Sequence, residues 1–150
     1  MSLEQTINND IKQAMLSRKK DELEALRAIK SALLLLKTSK GSAEGEIDEA
    51  AATATLQKLV KQRRETAQIY IDQQRQDLAD VELFQAQVIE RYLPKQMTEE
   101  EIEKALREII ASVGATSMKD MGRVMGIASK QFAGRADNKQ VSEIVKRILS

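Results

Sequence analysis

Apolar residues recur at three- and four-residue intervals along nearly the whole chain, the spacing of helices that each bury one face. Leu3, Ile7, Ile11 and Ala14 form one such stripe, and Leu23, Leu26, Ile29, Leu33 and Leu36 form a second. A third runs through Ala52, Leu56, Leu59, Ala67 and Tyr70, and Phe84, Val88 and Ile89 lie in a fourth. No segment alternates apolar and polar residues between turn signals, so no strand is predicted and the fold class is all-α.

The ends of these helices are written in capping chemistry. Ser2 with Gln5 is a capping box that opens the first helix, and Asp21 with Glu24 opens the second. Thr38 to Glu46, with Ser39, Gly41, Ser42 and Gly45, reads as an exposed loop. Asp48 then caps a long third helix to about Gln74, and Asp77 begins a fourth that reaches Tyr92. Pro94 disfavours helical geometry at Leu93 and marks a boundary. Beyond it, Thr98 and Glu101 form another capping box, with Met97 and Ile102 as a hydrophobic staple, and this fifth helix stops at Gly114. Ser117 with Asp120 opens a sixth that ends near Gly134, and Asp137 with Gln140 opens a seventh. The expected organisation is an N-terminal four-helix segment over 1–93, with one long helix, and a compact three-helix unit over 94–150. The second is roughly 57 residues long, a marginal size for independent stability.

Composition narrows the chemistry. The chain has no His and no Cys, which removes imidazole bases, thiolate nucleophiles and the usual zinc ligands. No nucleophile sits beside a base, so no catalytic residue, cofactor or metal ligand is assigned. The carboxylates Glu99, Glu100, Glu101 and Glu103 fall in a helix's first turn, where the positive dipole end favours them without any catalytic role. The longest apolar run, Ala32 to Leu36, is far shorter than the roughly 20 residues that span a bilayer, and Met1-Ser2-Leu3-Glu4-Gln5 is not the start of a signal peptide. A cytoplasmic location is therefore expected, with no membrane partner.

Charge is balanced overall, at a formal +1, yet it is segregated. From Gly114 to Ser150 the basic residues are Lys119, Arg123, Lys130, Arg135, Lys139, Lys146 and Arg147, against three acidic ones, for a net +4, and these seven are the candidate phosphate contacts to RNA, with a solvated basic face as the alternative. If the sixth helix is regular, Lys119, Arg123 and Lys130 lie within about 40° of one another around its axis. Met118, Met121, Met125, Ala128 and Phe132 share another face, and Gly122 and Gly126 fall between the two. A mid-helix Gly costs roughly 1 kcal/mol relative to Ala, so the pair wants a reason. Close approach of a neighbouring helix is one reason, and close approach of a ligand's phosphate backbone is the other. On the third helix Arg63 lies within the apolar stripe. It must pair with a carboxylate or a helix end, or else make an anion contact between the two parts.

The stretch Gly-Ala-Thr-Ser-Met-Lys-Asp-Met-Gly-Arg-Val-Met-Gly at 114–126, with Gly134-Arg135-Ala136-Asp137, resembles the tail shared by the B subunit of tRNA-dependent amidotransferases and the stand-alone YqeY-like proteins. Lys61-Gln62-Arg63-Arg64-Glu65 and the run from Tyr92 to Glu101 resemble the stand-alone type, so the GatB/YqeY resemblance covers essentially the full length. It departs from the pattern at Ala133, where a Lys is common, and at Asn138, where a Gly is common.

The resemblance implies an all-helical protein whose tail binds tRNA or another structured RNA, with amidotransferase subunits as further partners. It also implies carbon–nitrogen ligase activity with glutamine as amide donor. Since no catalytic constellation is visible, that label describes kinship or participation in a complex. DNA is not an expected partner. The alternatives are a protein–protein adaptor, meeting a partner through the Met stripe or the mid-chain loop, and a true amidotransferase component.

Overall fold

A computed structural model describes residues 2–39 and 47–150, and all regular structure among them is helical. The chain divides into two compact units, Met1–Leu93 and Pro94–Ser150. The first holds α1 (Leu3–Leu16), α2 (Lys20–Ser39), α3 (Glu49–Asp72) and α4 (Gln76–Glu90). The second holds α5 (Glu99–Val113), a 3-10 turn (Met118–Asp120), α6 (Met121–Gln131) and α7 (Asn138–Leu149).

In the first unit the Ser2–Gln5 capping box forms in both directions at the start of α1. Helix α2 begins just before its expected cap, so Asp21 lies with Glu22 inside the first turn, where both carboxylates favour the dipole. It also runs further than expected. Thr38 and Ser39 are its last residues, and their hydroxyls donate to the carbonyls of Leu35 and Leu36. That back-bonding lets small hydroxyl residues extend a final turn. The remainder of the expected loop, 40–46, lies outside the described residues. Asp48 precedes α3 as expected, but its side chain makes no capping bond. Helix α4 starts one position before Asp77, because that carboxylate takes both ends of the Arg75 guanidinium, at 3.1 and 3.0 Å, and does not serve as a cap.

The core of this unit is built from Ile7, Leu26, Ile29, Leu33, Leu56, Val60, Val88 and Ile89, all buried. Burying each such side chain fully contributes roughly 1.5–3 kcal/mol, so the apolar stripes alone account for why these helices associate. Polar contacts fix the ends. Arg91 pairs with Glu22 at 2.6 Å, Arg64 pairs with Glu90, and the Tyr92 hydroxyl donates to Asp10. Burial, reinforced by the Asp10 contact, holds the Tyr92 phenol above its ordinary pKa.

In the second unit the Thr98–Glu101 capping box is complete, and the Thr98 contacts hold the Glu101 carboxyl below its usual range. Gly114 ends α5 in the left-handed region at φ 67°, where a side chain would be strained. Ile102, Leu106, Val124, Val141 and Val145 are fully buried, with Met97 packed against the same cluster. Two contacts tie the unit's entry to the segment after α6. The Met97 amide donates to the Arg135 carbonyl at 2.8 Å, and the Gln96 side chain donates to the Gly134 carbonyl at 2.8 Å.

Helix α6 differs from the sequence reading at both ends. The Ser117–Asp120 box forms, but what it closes is the 3-10 turn, and α6 proper begins at Met121. The helix stops at Gln131, short of Gly134, which sits at φ 77° in the following turn. The methionine stripe is accordingly only partly buried. Met121 and Met125 pack against the core, whereas Met118 is 44% exposed, and the fully buried positions are Val124 and Ala128. At α7, Asp137 caps the helix by accepting the Lys139 amide at 3.3 Å.

Candidate functional site

The buried residues of α6 are Val124 and Ala128, which turns Gly122, Arg123, Gly126, Ile127, Ser129 and Lys130 outward. Arg123, Gly126 and Lys130 recur at i, i+3 and i+7 and therefore line one side of the helix. Lys119 stands at the entry to this face, exposed in the 3-10 turn. Its neighbour Asp120 is held below the ordinary carboxylate range by the amides of Thr116 and Ser117, and it also accepts from Arg123 Nη2 at 3.3 Å.

The surroundings of the two glycines bear on the helix-packing reading. A Cβ built at Gly122 or Gly126 meets nothing within 4 Å among the described residues. No described helix of the second unit therefore comes close enough to require either glycine, and the pair lies beside two cations. Substitution follows from this. Gly122→Ala and Gly126→Ala should each raise stability by about 0.5–1 kcal/mol, because both positions are helical and unobstructed. An increased urea midpoint at unchanged slope is the expected reading. A decreased midpoint would mean that some surface occupies the space after all.

The other predicted cations are dispersed. Lys139 and Lys146 are exposed on α7, seven positions apart, with Glu143 between them on the same side. Arg135 donates through Nε to the Lys95 carbonyl at 3.3 Å. Arg147 bridges Glu99 and Glu103 of α5 at 3.4 and 3.5 Å, so it serves the unit's own packing. Among the described residues no ion pair engages Lys119, Lys130, Lys139 or Lys146.

Arg63, expected to find a carboxylate or helix end, or to contact an anion between the two parts, is part-buried. It donates from Nε to Gln85 Oε1 at 3.0 Å and from Nη1 to the Leu59 carbonyl at 3.3 Å. Both bonds lie within the first unit.

Two clefts among the described residues compete with the α6 face as candidate sites. One, of about 640 Å³, lies in the second unit among Thr98, Glu99, Glu100, Glu103 and Arg147, an acidic lining that repels phosphates. The other, of about 350 Å³, lies in the first unit beside Asp10, Glu22, Arg91 and Tyr92, whose charges are already paired with one another. Among the described residues no group of three carboxylates is placed to hold a metal ion, and no helix is long and apolar enough to cross a membrane. The sequence reading missed the exposed Ile127 and Ser129 on the α6 face. The signal that could have found them is the position of Val124, which sets which side of α6 points inward.

The chain is similar to "Altered inheritance of mitochondria protein 41, mitochondrial" of Meyerozyma guilliermondii, at 39% identity over 88 residues. That match covers 59% of this chain and 44% of the relative, so the chain spans less than half of the relative's length. The family model described as "Yqey-like protein" matches residues 4–149. Its extent takes in both compact units, and the chain belongs to the YqeY-like family.

Proposed function

We propose that this protein is an RNA-binding accessory protein related to tRNA-dependent amidotransfer, working in the cytoplasm, and that the exposed side of α6 receives the phosphate backbone of tRNA or another structured RNA. The observation that carries the reading is the open Gly122–Gly126 edge beside Arg123 and Lys130. Gly126, inside the helix, costs roughly 1 kcal/mol relative to Ala, Gly122 in the first turn adds less, and nothing packed inside the described part of the chain offsets that. A ligand backbone seated on the edge would.

The electrostatics agree. Lys119 and Lys130 are exposed without a counter-ion, and Arg123 is tied only by an exposed contact to Asp120. Such surface pairs contribute about 0–1 kcal/mol, so a phosphate can displace the carboxylate. Base stacking is not the means of recognition, because Phe132 is the aromatic residue of this unit and it is buried. Shape and charge of a folded RNA remain as the recognised features. The kinship with amidotransfer rests on the resemblance of the 114–126 stretch to the B-subunit tail.

Lys119→Glu combined with Arg123→Glu should abolish retention of tRNA in a gel-shift titration at moderate salt, while far-UV circular dichroism stays unchanged. Both side chains are exposed, so folding is not at risk. Unchanged retention would remove the α6 face from consideration.

A further inference from the structure

We propose that the end of the α3–α4 hairpin is a docking surface for a basic amphipathic helix of a protein partner. Asp77, Val81, Phe84 and Val88 recur at i, i+4, i+7 and i+11, so they form a single stripe along α4. Val88 is 0% exposed in the first unit's core, Phe84 is 37% exposed and Val81 49%. The stripe thus leaves the core and continues as bare apolar surface toward the connection with α3. Ile69 and Ile71 of α3 are also exposed at this end, on different sides of that helix. Ala67 and Ala79 are buried here, yet they lie outside the apolar cluster shared by α1, α2 and the rest of the hairpin. Isolated exposed apolar residues are ordinary, but Val81 and Phe84 continue a buried stripe as contiguous exposed surface.

Charge selects the occupant. Residues 65–84 hold Glu65, Asp72, Asp77, Asp80 and Glu82 against Arg75 alone, and Arg75 is consumed by Asp77. A net −4 repels nucleic acid and anionic lipid headgroups, and it disfavours a second copy presenting the same end. It attracts a helix whose apolar stripe is flanked by Lys or Arg, the helix-in-groove mode of recognition. The surface is separate from the α6 face, and the inference stands or falls independently of RNA binding.

The test uses the full chain, isotope-labelled, titrated with a synthetic Leu/Lys peptide whose leucines lie at i, i+3, i+4 and i+7. A scrambled peptide of equal composition is the control. Saturable binding with amide shifts confined to residues 65–84 is the expected result. Val81→Ser with Phe84→Ser should weaken it at least about tenfold, the scale expected when central apolar anchors are removed. Leu16→Ser should leave it unchanged: that side chain is 71% exposed and adjoins Ser17, which lines the cleft at the opposite, Arg91 end of α4. Equal binding of the scrambled peptide, absence of saturable binding, or indifference to the Val81 and Phe84 changes would each overturn the proposal. So would concentration-dependent self-association abolished by those same changes, since the occupant would then be a second copy.

Discussion

Leu106→Ala is expected to cost the second unit about 3 kcal/mol, while the first unit keeps its structure. Leu106 is 0% exposed and sits in a cluster with Ile102, Ile109, Val124, Phe132, Val141 and Val145. Truncation there removes transfer energy and leaves a cavity that three short helices can only partly close. At about 0.05–0.15 kcal/mol per residue, a unit of this length holds roughly 3–8 kcal/mol in all, so the loss takes at least about a third of its margin. Residue-resolved amide hydrogen exchange is the measurement. Protection in α5 to α7 should fall about a hundredfold. Protection in α1 to α4 should hold, because the first unit's apolar cluster shares no residue with the second's. A uniform loss along the chain would show that the two clusters unfold as one.

What the sequence revealed and what it concealed divide along local and long-range physics. The capping boxes at Ser2 and Thr98 were legible because both partners lie within one turn, and both form. The Ser117–Asp120 box was equally legible, but the turn it closes was not. A 3-10 turn advances about 120° per residue where an α-helix advances about 100°. A stripe drawn from Met118 to Phe132 as a single α-helix therefore places Met118 inside, although it is 44% exposed, while Ala128 and Phe132 of that stripe are buried. Arg147 could not be read as engaged, because its partners Glu99 and Glu103 come from another helix of the unit. The glycine pair shows the same limit. Its backbone cost follows from residue type alone, whereas the open space beside it depends on where α5 and α7 pack. Pattern identifies a helix's inward residues well when the helix is regular from its cap, and α6 is not.

Retention of structured RNA is expected to fall about fortyfold between 50 and 200 mM KCl, and this loss counts the phosphates engaged. With Lys119, Arg123 and Lys130 neutralising one phosphate each, the logarithm of affinity falls against the logarithm of salt with a slope of about −2.7. Lys139 and Lys146 are left out because Glu143 stands between them on α7 and opposes an incoming phosphate. Arg147 is left out because leaving Glu99 and Glu103 would expose two carboxylates to the same ligand. If the α7 lysines did take part, the slope would steepen toward about −4.5, so the magnitude separates the two footprints. Lys130→Gln should flatten the slope by about 0.9, since it removes one contact without introducing repulsion. Lys146→Gln should leave the slope as it is. A salt-independent affinity, or equal slopes in the wild-type chain and Lys130→Gln, would mean that the cations beside Gly126 do not carry the interaction.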